Sequence, residues 1–369
     1  MLMERLQEIQ GKLMKVRSFL AEREINAVLL KKQPNFCWLT AGGLNMVGIA
    51  TEVGVTSLLV TKDAHYVIAN RIEAERMMRE EELEALGFTL LAYEWYEDQE
   101  LELVKKITGN TPVGCDVSIG GLKNIDSQFK FLRYELTAQE VERYLFLGSK
   151  VSLAIEKVLM EVSPGDTEAE ITGRLSAELW QDRIDPTGYM AAADERAYLY
   201  RHPIPTMNRV KNYLMLCVNA RYKGLITTVT RLVHFGSAPD SLLTQYRNNV
   251  EIECVMMANT RIGSEVRVPF LAGLEVYKNL GLPEEWKLHH QGGAMGYYAR
   301  DIRVTPDSTD LVCRNQAFCW NPTISGTKSE DGFIVTPEGP VMITKPVLFP
   351  ALKLEVDGQE FVKPAILIR

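Results

Sequence analysis

Two apolar runs, 214–218 (LMLCV) and 225–229 (LITTV), flank the basic turn Arg221-Tyr222-Lys223-Gly224. Aliphatic and β-branched residues at that density, with Gly closing a short connection, specify a β-hairpin. His202 stands upstream, with Pro203 and Pro205 just beyond it. The hairpin therefore starts beside an immobilised imidazole and reads as the floor of an active site. Ahead of it lie Thr137-Ala138-Gln139-Glu140 and Thr167-Glu168-Ala169-Glu170, both capping-box patterns, separated by the stop Ser163-Pro164-Gly165. In each, the Thr hydroxyl accepts from a free amide and the Glu reaches back to the cap, so each box opens a helix.

At 369 residues, two domains are the first expectation. The capped helix pair marks the start of the second, 132–369. Residues 1–131 alternate between helical and strand patterns, which points to an α/β unit. Leu6, Ile9, Leu13, Val16 and Leu20 define an amphipathic first helix; 25–30, 36–40, 56–61 and 65–70 read as strands, and 71–86 as a solvated helix. No polar groups converge there, so this domain is assigned no chemistry. In the second domain, 185–188 (DPTG) reads as a turn, 241–261 as a helix, and 317–321 and 332–336 as strands.

A net charge of -7 argues against a nucleic-acid partner, since phosphate binding needs concentrated positive charge. No apolar run is long enough to cross a bilayer, and MLMERLQEIQ is not a secretory signal. The six Cys lack CxxC spacing and read as free thiols of a cytoplasmic protein.

Taken in order, PGDTEAEI, HPIPTMNR, YKGLITTVTR, HHQGGAMG and SEDGFIVTPEGP, with FCWLTAG near the N-terminus, resemble the pita-bread family. That family includes Xaa-Pro dipeptidase (prolidase), aminopeptidase P, methionine aminopeptidase and creatinase. The resemblance covers essentially the whole chain. It implies a creatinase-like α/β N-terminal domain, then an α+β pita-bread domain with a curved antiparallel sheet. It also implies a homodimer. Peptidases of the family bind two divalent metals through two Asp, one His and two Glu. Carried over residue by residue, the two Asp fall on Cys217 and Thr228, the His on Gly293, and one Glu on Asn321; the other Glu is retained as Glu330. One carboxylate is too little negative charge for two cations, so no metal cofactor is expected.

Creatinase resembles the chain more closely here, since it works without metal and uses a His as acid/base. Its His corresponds to His202 and its carboxylate to Glu330, but Thr230 stands where it has a second Glu, which counts against creatine. The expectation is a metal-independent hydrolase of a small amide, peptide or amidino substrate. His202 would carry the proton and Glu330 would position the reacting group. Arg231, Arg300 and His290 are candidates for substrate contact, with Arg303 as a further carboxylate holder; Arg231 alternatively belongs to the hairpin framework. Cys217 is either a nucleophile or a buried strand thiol. His289 and His290 invite a metal reading but have no carboxylate or Cys at ligand spacing. The other readings are a pseudoenzyme that binds a short peptide, metabolite or protein, and an Xaa-Pro peptidase with an unorthodox single-metal site built from His202, Cys217 and Glu330.

Overall fold

A computed structural model describes residues 2–369. The chain separates into two compact units, one of residues 2–140 with 223–225, the other of 141–222 with 226–369.

In the first unit the helix Leu2–Glu22 buries Ile9, Leu13, Val16 and Leu20, the stripe its periodicity calls for. A six-stranded sheet has the spatial order Thr89–Tyr93, His65–Asn70, Val53–Thr61, Ala27–Lys32, Val113–Cys115, Lys123–Asn124. It is mixed: Ala27–Lys32 runs antiparallel to Val53–Thr61 and parallel to Val113–Cys115. Residues 36–40, expected as a strand, instead lie in or just beyond the helix Gln33–Leu39, with Pro34 in its first turn. Every residue of that helix is buried. An element buried on all sides carries no exposure period to distinguish it from a strand. The expected helix 71–86 stops at Arg79, and Leu83 and Leu86 enter the core from the irregular segment beyond it.

Both capping boxes form, each with reciprocal geometry. Glu140 N–H donates to Thr137 Oγ1 (3.1 Å) while Thr137 N–H donates to Glu140 Oε2 (2.8 Å). Thr167 and Glu170 repeat the arrangement. They open the helices Ala138–Glu161 and Glu168–Trp180.

The hairpin strands are Tyr213–Tyr222 and Leu225–His234, and the second is buried along its whole length. They lie in a four-stranded sheet ordered Leu367–Ile368, Leu225–His234, Tyr213–Tyr222, Asp185–Ala193. Residues 185–188, expected as a turn, are the start of its edge strand, whose register shifts between Pro186 and Gly188. Pro is tolerated there because an edge strand can leave an amide unpaired. A second antiparallel sheet runs Gly292–Met295, Ala317–Trp320, Asp331–Thr336, Gly339–Met342. The two sheets meet where Thr230 N–H donates to the Glu330 carbonyl (3.1 Å). The helix Asp240–Asn259 agrees with expectation, whereas the helix Arg267–Asn279 and the hairpin Ala351–Val356/Gln359–Pro364 were not foreseen. Among the described residues, no helix is long and apolar enough to cross a membrane.

Candidate active-site cleft

The second unit holds a cleft of about 500 Å³ lined by, among others, His202, Asn219, Thr228, His290, Arg300 and Glu330. A larger groove of about 690 Å³ in the first unit runs along the helix Leu2–Glu22. The buried charge beside it is already paired, with Lys12 Nζ donating to Glu8, Glu140 and the Trp38 carbonyl. The smaller cleft is the candidate site, because there the titratable groups converge on open space.

Its floor is a buried ionic cluster centred on Glu330, 2% exposed. Lys328 Nζ lies 2.7 Å from Oε2, and Arg300 Nη2 donates to Oε1 at 3.1 Å. Thr230 Oγ1 and Cys217 Sγ also donate to Oε2, at 2.7 and 3.1 Å. Both carboxylate oxygens are therefore engaged. Burial alone would raise the carboxyl pKa, but Lys328 and Arg300 outweigh it and hold Glu330 well below the usual carboxylate range. Lys328 titrates above its ordinary value, burial being outweighed by its neighbours Cys217 and Glu330. Lys328 went unrecognised in the sequence, where it stands outside any motif two residues before Glu330.

Three imidazoles form one wall. His202 lies on the loop after the short helix Arg196–Leu199, and His289 and His290 follow the single turn Glu285–Leu288. The Nε2 atoms of His202 and His289 are 3.0 Å apart, and the His289 and His290 rings lie tilted by 35° with centroids 4.5 Å apart. Burial, then Lys328, lowers His289 to about 2; burial, then Arg300, lowers His290 to about 3. His202 is lowered as well, first by burial and then by Lys328. All three are neutral at pH 7.

Arg231 does not reach the cleft. It is fully buried, with Nε on Glu156 (2.7 Å) and Nη1 on Asp331 (3.0 Å). Asp331 in turn pairs with Lys363 (2.7 Å), which also holds Glu253 (2.8 Å). Arg231 is thus a framework residue, and the expectation of substrate contact is corrected. A guanidinium on an inward-facing position of a fully buried strand can be accommodated only with its own carboxylates. Arg300 and His290 line the cleft.

The positions that the resemblance equates with metal ligands can be tested on their donors. Gly293 has no side chain, adopts φ +145°, and a Cβ there would lie 2.1 Å from the Ile302 carbonyl oxygen. Burial pushes the Cys217 thiol up to about 12, and its proton is already donated to Glu330, which counts against an activated nucleophile. Thr228 Oγ1 lies 2.9 Å from the Cys319 sulfur and accepts from Arg300 Nη1 (3.3 Å). Asn321 offers only a neutral amide, its Oδ1 buried without a partner. With Glu330 already holding two cationic side chains, this donor set does not fit a pair of divalent cations. Nor does it fit one ion on His202, Cys217 and Glu330.

No family model matches the chain. A curated relative, the Xaa-Pro dipeptidase of Pyrococcus horikoshii, is 19% identical over 361 residues, covering 90% of this chain and 97% of that protein. Among solved structures, the Xaa-Pro dipeptidase from Bacillus anthracis superposes with a TM-score of 0.77 at 18% identity, over 98% of this chain and all (100%) of that one. The N-terminal domain of the FACT complex subunit SPT16 from chickpea (Cicer arietinum) gives 0.69 at 13% identity, over 93% and 97%. The chain therefore has the two-domain pita-bread fold of the Xaa-Pro dipeptidases, as its motifs imply.

Proposed function

We propose that this pita-bread chain is a metal-independent hydrolase of a small C–N substrate, an amide or short peptide bearing a carboxylate. The observation that carries the reading is the Lys328–Glu330–Arg300 cluster, in which the retained family carboxylate is neutralised by fixed side-chain cations. Those cations, with Arg303 also lining the cleft, make it net positive in an acidic protein. A carboxylate suits that field and a guanidinium does not, so an amidino cation is disfavoured as substrate. Neutral His202 can accept a proton from an attacking water and return it to the leaving nitrogen. Its contact with His289 Nε2 (3.0 Å) orients the ring. Glu330, ionised and hydrogen-bonded on both oxygens, does not transfer protons; it holds Arg300 against the substrate.

The test is turnover of a dipeptide and N-acyl amino acid panel by chelator-treated protein. Hydrolysis that persists without metal and falls at least ~100-fold in His202→Ala supports the reading. No turnover across the panel, or turnover only after adding manganese, cobalt or zinc, refutes it.

A second reading is favoured by the absence of a free nucleophile or carboxylate base among the described cleft residues, and by the fold's occurrence in a subunit named for its complex. On it, the cleft binds a carboxylate ligand without chemistry. Thermal stabilisation by dipeptides with no product formed would select it.

A further inference from the structure

The three cleft histidines are arranged for a task that neither reading assigns. One donor nitrogen from each of His202, His289 and His290 falls within 4.8 Å of the other two. The His202 and His289 Nε2 atoms are 3.0 Å apart. Two nitrogens bound to a tetrahedral ion at about 2.0–2.1 Å sit roughly 3.3 Å from each other, so this pair is already near a ligand-to-ligand edge. His289 is 7% exposed, and its Nδ1, like that of His290, is buried with no hydrogen-bond partner. Interiors seldom leave imidazole nitrogens unused. His202 is exposed and lines the cleft with His290, which provides an entry path and leaves a coordination position open.

We propose that His202, His289 and His290 form a mononuclear site for a first-row transition-metal ion, of the class of Zn²⁺, Co²⁺, Ni²⁺ or Cu²⁺. Imidazole donors select these ions over the oxygen-preferring Mg²⁺, Ca²⁺ and Mn²⁺. The site is displaced from the inherited ligand positions at Cys217, Thr228, Gly293 and Asn321. Lys328 and Arg300 oppose a bare dication and have only Glu330 as counterweight. The fourth ligand is accordingly an anion, hydroxide or a carboxylate. Occupancy takes His202 out of proton transfer, so the ion caps the cleft and does not activate it. The proposal does not depend on the hydrolytic reading, because binding is measured without substrate.

Chelator-stripped full-length protein is titrated with Co²⁺ and followed by visible absorption, with Zn²⁺ in equilibrium dialysis for stoichiometry. About one equivalent should bind, with the intense band of a four-coordinate cobalt site. His202→Ala and His290→Ala should each weaken binding by more than ~10-fold. Cys217→Ser and Asn321→Ala should leave it unchanged. His202 is exposed, so His202→Ala is the variant that folds irrespective of packing; unaltered thermal unfolding of the metal-free variant checks this. Substoichiometric binding without the band overturns the proposal. So does binding that survives His202→Ala, or that is lost in Cys217→Ser or Asn321→Ala while the histidine variants retain it. If the metal binds and the chelator-treated, metal-free protein turns over no substrate, the hydrolytic reading fails and this one stands.

Discussion

Replacing Lys328 by Met tests the ionic floor of the cleft most directly. The ammonium lies 2.7 Å from Glu330 Oε2, both side chains are 2% exposed, and the substituted side chain has a similar length. Removing one partner from a buried pair costs about 3–5 kcal/mol, because the remaining charge is left in a poor solvent. Arg300 stays on the other oxygen at 3.1 Å, so the lower end, about 3 kcal/mol, is expected. Glu330→Gln alone leaves both Lys328 and Arg300 without their carboxylate, and Lys328→Met/Glu330→Gln removes one of those two stranded cations, so the double variant should lose about 2 kcal/mol less than the sum of the two singles. The pH dependence follows from the direction of the shift. Glu330 is held below its unfolded value in the wild type, so its contribution is present above roughly pH 4.5 and fades as pH falls. In Lys328→Met the folded value rises, so the deficit should be largest at pH 7 and shrink on acidification. Urea unfolding of the wild type, both single variants and the double variant at pH 7 and about pH 4 gives the cycle and its pH dependence. A loss under about 1 kcal/mol for Lys328→Met, or additive singles, would mean that the cluster is solvated and the argument wrong.

Three further outcomes are expected. His289 is held to about 2 and His290 to about 3, so the unfolded chain takes up protons below about pH 6.5 that the fold refuses; stability should fall by about 2 kcal/mol from pH 6.5 to 5 in chelator through His289, and by a similar amount again through His290. His289→Asn should flatten that slope in unfolding titrations. Gly293→His, which places there the His that the resemblance implies, should cost more than about 3 kcal/mol without adding metal affinity, because the Cβ would meet the Ile302 carbonyl at 2.1 Å; a folded, metal-loaded variant would contradict this. Cys217, buried and with its thiol pushed up to about 12, should react with thiol reagents only on unfolding, and Cys217→Ser should leave turnover within about threefold.

Much of the architecture was legible because it rests on local chemistry. Capping boxes at Thr137 and Thr167, the stripe of Ile9, Leu13, Val16 and Leu20, and the hairpin around Tyr222 each act through neighbours a few residues apart. The misreadings fall where that locality fails. The helix Gln33–Leu39 is buried on every side and so has no period, and Asp185–Ala193 is a strand despite a Pro-Gly signal because its edge position tolerates the bulge. Arg231 and Arg300 are equally basic in the sequence, yet one is locked between Glu156 and Asp331 and the other faces the cleft.

By itself the sequence determined the fold and which side chains stand at the positions that its resemblance equates with metal ligands, since motif order and residue identity are written along the chain. Only the tertiary structure decided that Lys328 and Arg300 share Glu330, and that His202 meets histidines 87 and 88 residues away. Electrostatic and coordination chemistry depend on distances of a few ångströms in space. Those distances follow from how the sheets stack and where the loops return, which no spacing in the sequence records.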